Sequence, residues 1–240
     1  MRFILVDTAD TRGCVAFCHD AIPTAVEAHP DDQDYSTWLL PAVRRLLDSS
    51  GVTLSELDSY AVCYGPGSFT GLRVGLTTVK AWAEIYPKPV VAVSRLAAFA
   101  QSKPSSLGAN AEYVAAYLDA HRSQVFAALY RDTGVVLNDE SVIALDAFLE
   151  MVRAACGSDA VLWKTPDPQL LCPEKIWPTR QAQGDRVEPI EPPFASQLAA
   201  LAHTKFLRRE FTDSLALDAN YVRRSDAEIF WKGNPSAARI

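Results

Sequence analysis

A glycine-rich stretch, YGPGSFTGLRVGL at residues 64–76, is the first part of the sequence whose residue types could do chemistry. It lies between an apolar run and a helix-like pattern, where backbone N–H groups and a helix N-terminus can bind phosphate. Its spacing does not fit a Walker loop, because five residues separate Gly65 from Gly71 and Leu-Arg follows instead of Lys-Ser/Thr. The dinucleotide fingerprint fails as well, because Thr70 stands where its third glycine belongs.

The glycines of this stretch follow a second pattern, which has a packing explanation. Gly67, Gly71 and Gly75 recur every four residues, so a helix that starts near Ser68 places them along one smooth side. Glycine costs ~1 kcal/mol relative to alanine inside a helix, so this repetition indicates that another backbone comes very close. The approaching element is either this chain's own first helix or a partner chain.

Two aspartates, Asp7 and Asp119, end similar apolar runs and are weak candidates for a nucleotide site, together with Thr8. They could hold a metal-bound nucleotide between two lobes. The turns that follow them, TADTRG and AHRSQ, contain a single late glycine, so phosphate would have poor access to the backbone. We therefore expect each carboxylate to cap its own turn.

The other residue types that support catalysis do not form a recognisable site. The four histidines form no HxxxH or HExxH pair, and the sequence contains no GxSxG elbow. Ser68 follows a glycine in a sharp turn without a matched base, so we expect it to be a helix N-cap rather than a nucleophile. Cys14 and Cys18 lie in an apolar run and are expected to be buried thiols. The sequence therefore predicts no catalytic residue and no metal site.

The elements that carry these residues alternate between strands and helices. The runs RFILVDT and GCVAFCH predict a β-hairpin, and residues 33–49 have a helical apolar period, with Pro41 in the first turn or at a kink. LDSYAVCYG is predicted to be a strand before the glycine stretch, and KPVVAVSRLAAFAQ a strand that leads into another helix. This order predicts a mixed α/β sheet.

The second half of the chain begins with a unit that looks like a repeat of the first. EYVAAYLDAHRSQVFAALYRD has the same order of apolar run, aspartate, short turn and apolar run as FILVDTADTRGCVAFCHD, although any two hairpins share some likeness. We predict two lobes, at 1–103 and 104–240, each opening with such a hairpin. Seven prolines between 163 and 195 predict an irregular segment, followed by a helix at about 194–210 and a strand near LALDANYVRR.

Composition indicates which partners and location to expect. The net charge of −6 and the pI near 5.2 give no sign of a strongly basic nucleic-acid surface, although Arg208-Arg209 and Arg223-Arg224 remain candidate contacts. No apolar run reaches the ~18 residues that a membrane span needs, and Asp7 comes too early for a signal peptide. We therefore expect a cytoplasmic protein without a membrane partner.

The stretch GPGSFTGLRVGL at 65–76 closely resembles the signature of the bacterial TsaB family. That family provides the dimerisation subunit of the machinery that makes N6-threonylcarbamoyladenosine at position 37 of tRNA. Further stretches agree with the family pattern over the whole chain: ILVDTA near the start, LLPAV at 39–43, VVAVSRLAAFA at 90–100, LDAHRSQVFAALY at 118–130 and YVRRSDAE at 221–228.

The resemblance implies an actin-like, sugar-kinase-type (ASKHA) fold of two lobes, each a mixed β-sheet with helices. It also implies a non-catalytic scaffold that supports a TsaD-like catalytic subunit, with a TsaE-like ATPase added in the larger complex and tRNA bound through that complex. The resemblance implies that this chain by itself binds no cofactor tightly. It leaves open whether ATP or ADP binds at an interface of the complex. A homodimer also stays open.

By the same resemblance, two helices at 33–49 and 69–86 would dock the catalytic subunit or a second copy. The interface candidates are residues of these helices and of the loop before the second one: Leu39, Leu40, Val43, Leu47, Gly67, Ser68, Thr70, Gly71, Arg73, Val74, Gly75 and Thr78.

The sequence departs from the family pattern at three positions that bear on function. Tyr35 stands where family members often have histidine, His121 where they have arginine, and Gln124 where they have glutamate. Any role of the missing histidine and glutamate is therefore in doubt here. The alternative function is a small ATP-binding kinase or ATPase of the same fold.

Overall fold

Two five-stranded mixed sheets with the same strand order make up the computed structural model, which describes residues 1–102, 111–171, 177–220 and 222. The first sheet has the order β3-β2-β1-β4-β5, and the second the equivalent order β8-β7-β6-β9-β10. The strands are β1 Arg2–Asp7, β2 Cys14–His19, β3 Ile22–Ala28, β4 Ser59–Gly65, β5 Val90–Ser94, β6 Tyr113–Asp119, β7 Gln124–Arg131, β8 Val136–Ala144, β9 Val161–Thr165 and β10 Arg186–Pro189.

The pairing directions repeat as well as the order. In each sheet the first three strands form an antiparallel meander, and the last two run parallel to the first strand. Both hairpins whose first strand ends in aspartate are present, with Asp7 opposite Cys14 and Asp119 opposite Val125. The predicted duplication and the two-lobed actin-like fold class are therefore confirmed.

Helices cover the first sheet on both faces, since the inner residues of β1 are wholly buried. The helices α1 and α2 pack together against β1 to β4, whereas α3 and α6 pack against each other, with α6 across all five strands of the first sheet. The helices are α1 Tyr35–Ser50, α2 Phe69–Ile85, α3 Arg95–Gln101, α4 Leu145–Cys156, α5 Trp177–Ala182 and α6 Ala195–Leu207. None of the helices in the described ranges is long and apolar enough to cross a bilayer.

Pro41 lies in the interior of α1, so its predicted place in the first turn is wrong. It is the seventh residue of a helix that runs without interruption to Gly51, where a left-handed φ of 66° ends it. Pro41 is exposed, so water can bond the carbonyl of Thr37 that the proline ring leaves without its helical N–H donor.

The C-terminal part of the chain returns to the first lobe, so the predicted lobe of 104–240 needs correction. The helix α6 packs on the first sheet, Thr212 pairs with Val90, and the N–H of Asn220 donates to the carbonyl of Tyr64 at 2.7 Å. Residues 215–220 form no strand, so that part of the predicted strand near LALDANYVRR is wrong, and residues 221, 223 and 224 of the same stretch lie outside the described residues.

The proline-rich segment is more regular than predicted, because its prolines occupy positions that regular elements tolerate. Pro178 lies in the first turn of α5, and Pro189 ends the edge strand β10. Residues 172–176 of that segment, Arg223 and Arg224 lie outside the described residues. The predicted burial of the Cys14 and Cys18 thiols is confirmed.

Candidate functional site

The glycine side of α2 packs against the turn that follows β1. A Cβ atom on Gly67 would lie 2.1 Å from the carbonyl oxygen of Ala9, and one on Gly71 would lie 2.2 Å from that of Thr8. A Cβ atom on Gly75 would lie 2.4 Å from Oγ1 of Thr8. The predicted close approach is confirmed, but the approaching element is this turn rather than the first helix or a partner.

Ser68 caps α2, as the sequence predicts. Its hydroxyl oxygen accepts a hydrogen bond from the N–H of Gly71 at 3.3 Å, and its own N–H donates to the carbonyl of Ala9 at 2.5 Å. The hydroxyl that would have to act as a nucleophile is therefore part of the helix cap. The glycine stretch serves to fix α2 onto the end of β1.

The predicted interface divides into a buried and an exposed part. The apolar stripe of α1 faces β2 and β3, because an amphipathic helix turns this side toward its own sheet. Five of the predicted residues are buried in this chain's core: Leu39, Val43, Leu47, Gly71 and Gly75. The others are exposed or partly exposed: Leu40, Ser68, Thr70, Arg73, Gly67, Val74 and Thr78.

The buried part cannot contact a partner while the chain keeps this fold, so the prediction of a glycine docking face needs correction. The sequence shows a periodic stripe of glycines. Such periodicity indicates that one side of the helix is packed, but it does not identify the element that packs against it. The candidate surface is the opposite side of the two helices. Its apolar groups include Leu40, which is 56% exposed, and Phe69, which is 37% exposed.

A groove of about 480 Å³ lies on this exposed side, and we call it the α1–α2 groove. It is lined by Ser36 of α1 and by Phe69, Thr70, Arg73, Val74, Thr77 and Thr78 of α2. The guanidinium carbon of Arg73 lies 3.7 Å from the centre of the Phe69 ring, a cation–π contact. The groove thus combines apolar, hydroxyl and cationic groups, as a protein-binding surface does.

A larger cleft of about 920 Å³ lies between the two lobes, and we call it the interlobe cleft. The turns after β1 and β6 form its walls, and it shares Ser36, Thr70 and Val74 with the α1–α2 groove. Its charged lining is mainly acidic, with one arginine, Arg12, and five aspartates: Asp10, Asp31, Asp34, Asp119 and Asp167.

Asp7 lies beneath this cleft and is fully buried in an ion pair. Its Oδ2 accepts from Nε and Nη2 of Arg95 at 3.0 and 2.8 Å, and its Oδ1 accepts from the N–H of Ala9 at 3.1 Å. Burial raises the pKa of Asp7, while the charge of Arg95 acts in the opposite direction. Asp7 therefore caps its own turn, as predicted, and its charge is already matched.

Asp10 links two arginines at the edge of the cleft. Its Oδ2 lies 2.7 Å from Nη1 of Arg95 and 2.7 Å from Nη2 of Arg12. Burial disfavours the charged form of this carboxylate, but the two guanidinium groups outweigh burial and hold the pKa of Asp10 well below its usual range. Sequence reasoning missed the role of Arg95, because this residue lies 88 positions from Asp7 along the chain.

Asp119 occupies the equivalent place in the second lobe. Its Oδ1 accepts from the N–H of His121 at 2.7 Å, so it also caps its own turn, as predicted. Its own N–H donates to Oδ2 of Asp167 at 2.8 Å. The structure therefore brings Asp7, Thr8 and Asp119 to the two turns of the cleft, but each carboxylate is engaged within the chain.

Two of the departures from the family pattern fall at the cleft. The hydroxyl of Tyr35 donates to the carbonyl of Asp10, and its ring stacks on His29 with centroids 3.9 Å apart. A Cβ atom on Gly13 would lie 2.1 Å from this hydroxyl, so Tyr35 fixes the turn after β1. His121 is exposed at the cleft, with its Nδ1 3.5 Å from Asp119.

The arrangement offers little to a nucleotide. Phosphate groups in the cleft would meet five carboxylates and an arginine that is already paired with two of them. Within the described ranges, no three His, Cys, Asp or Glu side chains are placed to share a metal ion. Thr8 Oγ1 is buried without a hydrogen-bond partner, but it lies beneath Gly75 rather than in the cleft lining.

Known proteins match this chain over most of its length. A family model described as "TsaD: tRNA N6-adenosine threonylcarbamoyltransferase" matches residues 29–163. The tRNA threonylcarbamoyladenosine biosynthesis protein TsaB of Bacillus subtilis is 28% identical over 96% of this chain and 98% of its own length. The TsaB protein of Escherichia coli is 32% identical over 60% of this chain and 62% of its own length.

A solved structure agrees with the sequence relatives. The crystal structure of an uncharacterized Pseudomonas aeruginosa protein with similarity to peptidase YeaZ is 27% identical and has a TM-score of 0.68. The match covers 92% of this chain and 99% of that one. The family model spans more than half of the chain. The chain therefore belongs to the TsaD family of tRNA N6-adenosine threonylcarbamoyltransferases, and within it to the TsaB proteins.

Proposed function

We propose that this chain is a non-catalytic subunit in the biosynthesis of threonylcarbamoyladenosine in tRNA. It supports a TsaD-like catalytic subunit by docking through the exposed side of α1 and α2. The reaction that transfers the threonylcarbamoyl group takes place on the catalytic subunit, in the cytoplasm. The tRNA is bound by the complex, because this chain carries a net charge of −6 and its cleft is acidic.

The observation that carries the proposal is the closed set of ion pairs beneath the cleft. Asp7 and Asp10, the carboxylates closest to the first turn, are both taken up by the buried Arg95. A kinase or ATPase would need a carboxylate free to hold a nucleotide-bound cation. The cleft therefore supports a scaffold role better than nucleotide turnover.

The exposed side of α1 and α2 supports docking by its composition. Leu40 and Phe69 place apolar surface in water on two neighbouring helices, and Arg73 stacks on Phe69. Exposed aromatic and arginine groups are enriched where proteins bind each other. The same side could serve a homodimer, in competition with the catalytic subunit.

The same scaffold role implies further members and ligands of the complex. A TsaE-like ATPase joins the complex of the two subunits, and this chain binds no cofactor tightly by itself. An ATP or ADP molecule, where the complex holds one, would lie at a subunit interface. The groove and the cleft share Ser36, Thr70 and Val74, so a docked partner would also cover the mouth of the cleft.

Two measurements test the proposal together. We expect the chain to co-purify with the TsaD-like subunit of its own organism as a heterodimer. We also expect titration of the isolated chain with Mg²⁺ and ATP to give no micromolar binding and no turnover. Failure to form the complex would remove the docking role, and micromolar ATP binding with turnover would favour the kinase or ATPase alternative.

A further inference from the structure

A continuous series of charged contacts runs from the core of the first lobe to the turn of the second. Arg95 contacts Asp10, and Asp10 contacts Arg12. Nη1 of Arg12 then donates to Oδ1 of Asp167 at 2.8 Å, and Oδ2 of Asp167 accepts from the N–H of Asp119 at 2.8 Å. Each acidic group in the series thus has a donor on both sides.

The contact between Arg12 and Asp167 joins the two lobes. Arg12 lies in the turn between β1 and β2, and Asp167 follows β9, 155 residues later. Their side chains are 26% and 10% exposed, so water screens the contact less than it screens a surface pair.

Both residues are held in place by further contacts. Nε of Arg12 donates to Asp10 at 3.0 Å, and its guanidinium carbon lies 5.7 Å from the centre of the Phe194 ring. The hydroxyl of Tyr117 donates to the backbone carbonyl of Asp167 at 3.2 Å. Each side chain or its backbone is thus held by contacts that do not involve the other, which lowers the entropy cost of the pair.

We propose that the Arg12–Asp167 ion pair is a built-in latch at the interlobe cleft. The lobes already share a core through α3 and β6, and the pair holds the turn after β1 against the segment after β9 without a ligand in the cleft. In a two-lobed protein with a ligand between the lobes, the ligand supplies the contacts that favour closure. Here the chain supplies them itself. The cleft mouth and the α1–α2 groove therefore form one surface of fixed shape.

The latch is tested on the full isolated chain by hydrogen exchange. The variants are Arg12→Met, which keeps the apolar stem, and Asp167→Asn, which keeps an acceptor for the N–H of Asp119. The matched control is Arg45→Met, which removes an exposed bidentate pair with Glu27 within one lobe.

We expect Arg12→Met to raise amide exchange in the turns at 8–13 and 119–124 by about tenfold, with β4 unchanged. Asp167→Asn should raise exchange in the same turns to a smaller extent. Exchange in the double variant should be only slightly faster than in Arg12→Met, because both substitutions break the same contact. Arg45→Met should leave both turns unchanged.

Two results would overturn the latch. One is unchanged exchange in both turns of the Arg12→Met chain, which would mean that other contacts hold these turns in place. The other is an equal rise in β4, which would mean general loss of stability rather than opening. Because the test needs no partner, the latch and the proposed docking role can fail independently.

Discussion

At the scale of single residues, Arg95 explains most about the site. Its side chain is wholly buried between Asp7 and Asp10, and its guanidinium carbon lies 4.9 Å from the centre of the Phe194 ring. Charges are almost never buried in this way unless they are paired, because removal from water is costly. Arg95 therefore fixes the turn after β1, against which the glycine side of α2 packs.

Replacement of Arg95 by Met should destabilise the chain by about 3 kcal/mol, because it leaves the buried carboxylate of Asp7 without its partner. Urea unfolding followed by circular dichroism measures the loss. Arg45→Met provides the control, since its exposed pair with Glu27 should contribute less than about 1 kcal/mol. Equal losses for the two variants would show that Arg95 does not have the role assigned to it.

At the scale of the elements, local patterns predicted the secondary structure of each segment, but not which other segment it contacts. The Ser68 cap, the two hairpins and the aspartate-capped turns follow from residues close in sequence, and each is present. The partner of the glycine side was missed, because Thr8 and Ala9 reach α2 only through the parallel pairing of β1 and β4. Strand pairing between distant segments leaves no local signal.

Substitutions on the two sides of α2 should differ in their effect on stability, because the glycine side is packed within this chain and the opposite side is exposed. Gly71→Ala should destabilise the chain by about 2 kcal/mol, because the new methyl group would meet the backbone carbonyl of Thr8, which cannot move without shifting the end of β1. Thermal unfolding measures the change. Thr77→Ala, on the exposed side of the same helix, should change stability by less than about 0.5 kcal/mol. A Gly71→Ala chain as stable as the natural one would contradict this packing.

At the scale of the whole molecule, the duplicated sheets could be predicted but the chain path between lobes could not. The repeated hairpins predicted the two lobes, and the sheets of the two lobes have the same strand order. The return of α6 to the first sheet depends on long-range packing of residues such as Phe194 and Leu198. Their sequence pattern predicts a helix but does not indicate on which sheet it packs. The pairing of Arg12 and Arg95 with Asp10 was missed for the same reason.

A second cross-lobe cluster gives the molecule a specific pH dependence. The carboxylate of Glu140 on β8 accepts hydrogen bonds from Ser94 of the first sheet, from Tyr130 and from Asn220 near the end of the described chain. Burial raises the pKa of Glu140 above the usual 4.5, although these three donors act in the opposite direction, and Asp139 adds to the rise.

A carboxyl group whose pKa is raised in the folded state stabilises the fold below its unfolded pKa, and this contribution is lost as the pH rises through the folded value. The free energy of unfolding of the natural chain should therefore fall relative to that of Glu140→Gln as the pH rises from about 4 to about 7. Urea titrations of both chains across this range measure the difference. A constant difference, or one of opposite slope, would contradict the assignment.

The docking role is tested most directly by the affinity of the chain for the TsaD-like subunit of its organism. The variants are Leu40→Asp and Val74→Arg on the exposed side of α1 and α2, with Ile85→Asp as the control at the far end of α2. We predict that each of the first two weakens binding by about 100-fold in isothermal titration, because each buries an unpaired charge at the interface, and that the control binds normally. Normal binding by folded Leu40→Asp and Val74→Arg chains would contradict the account.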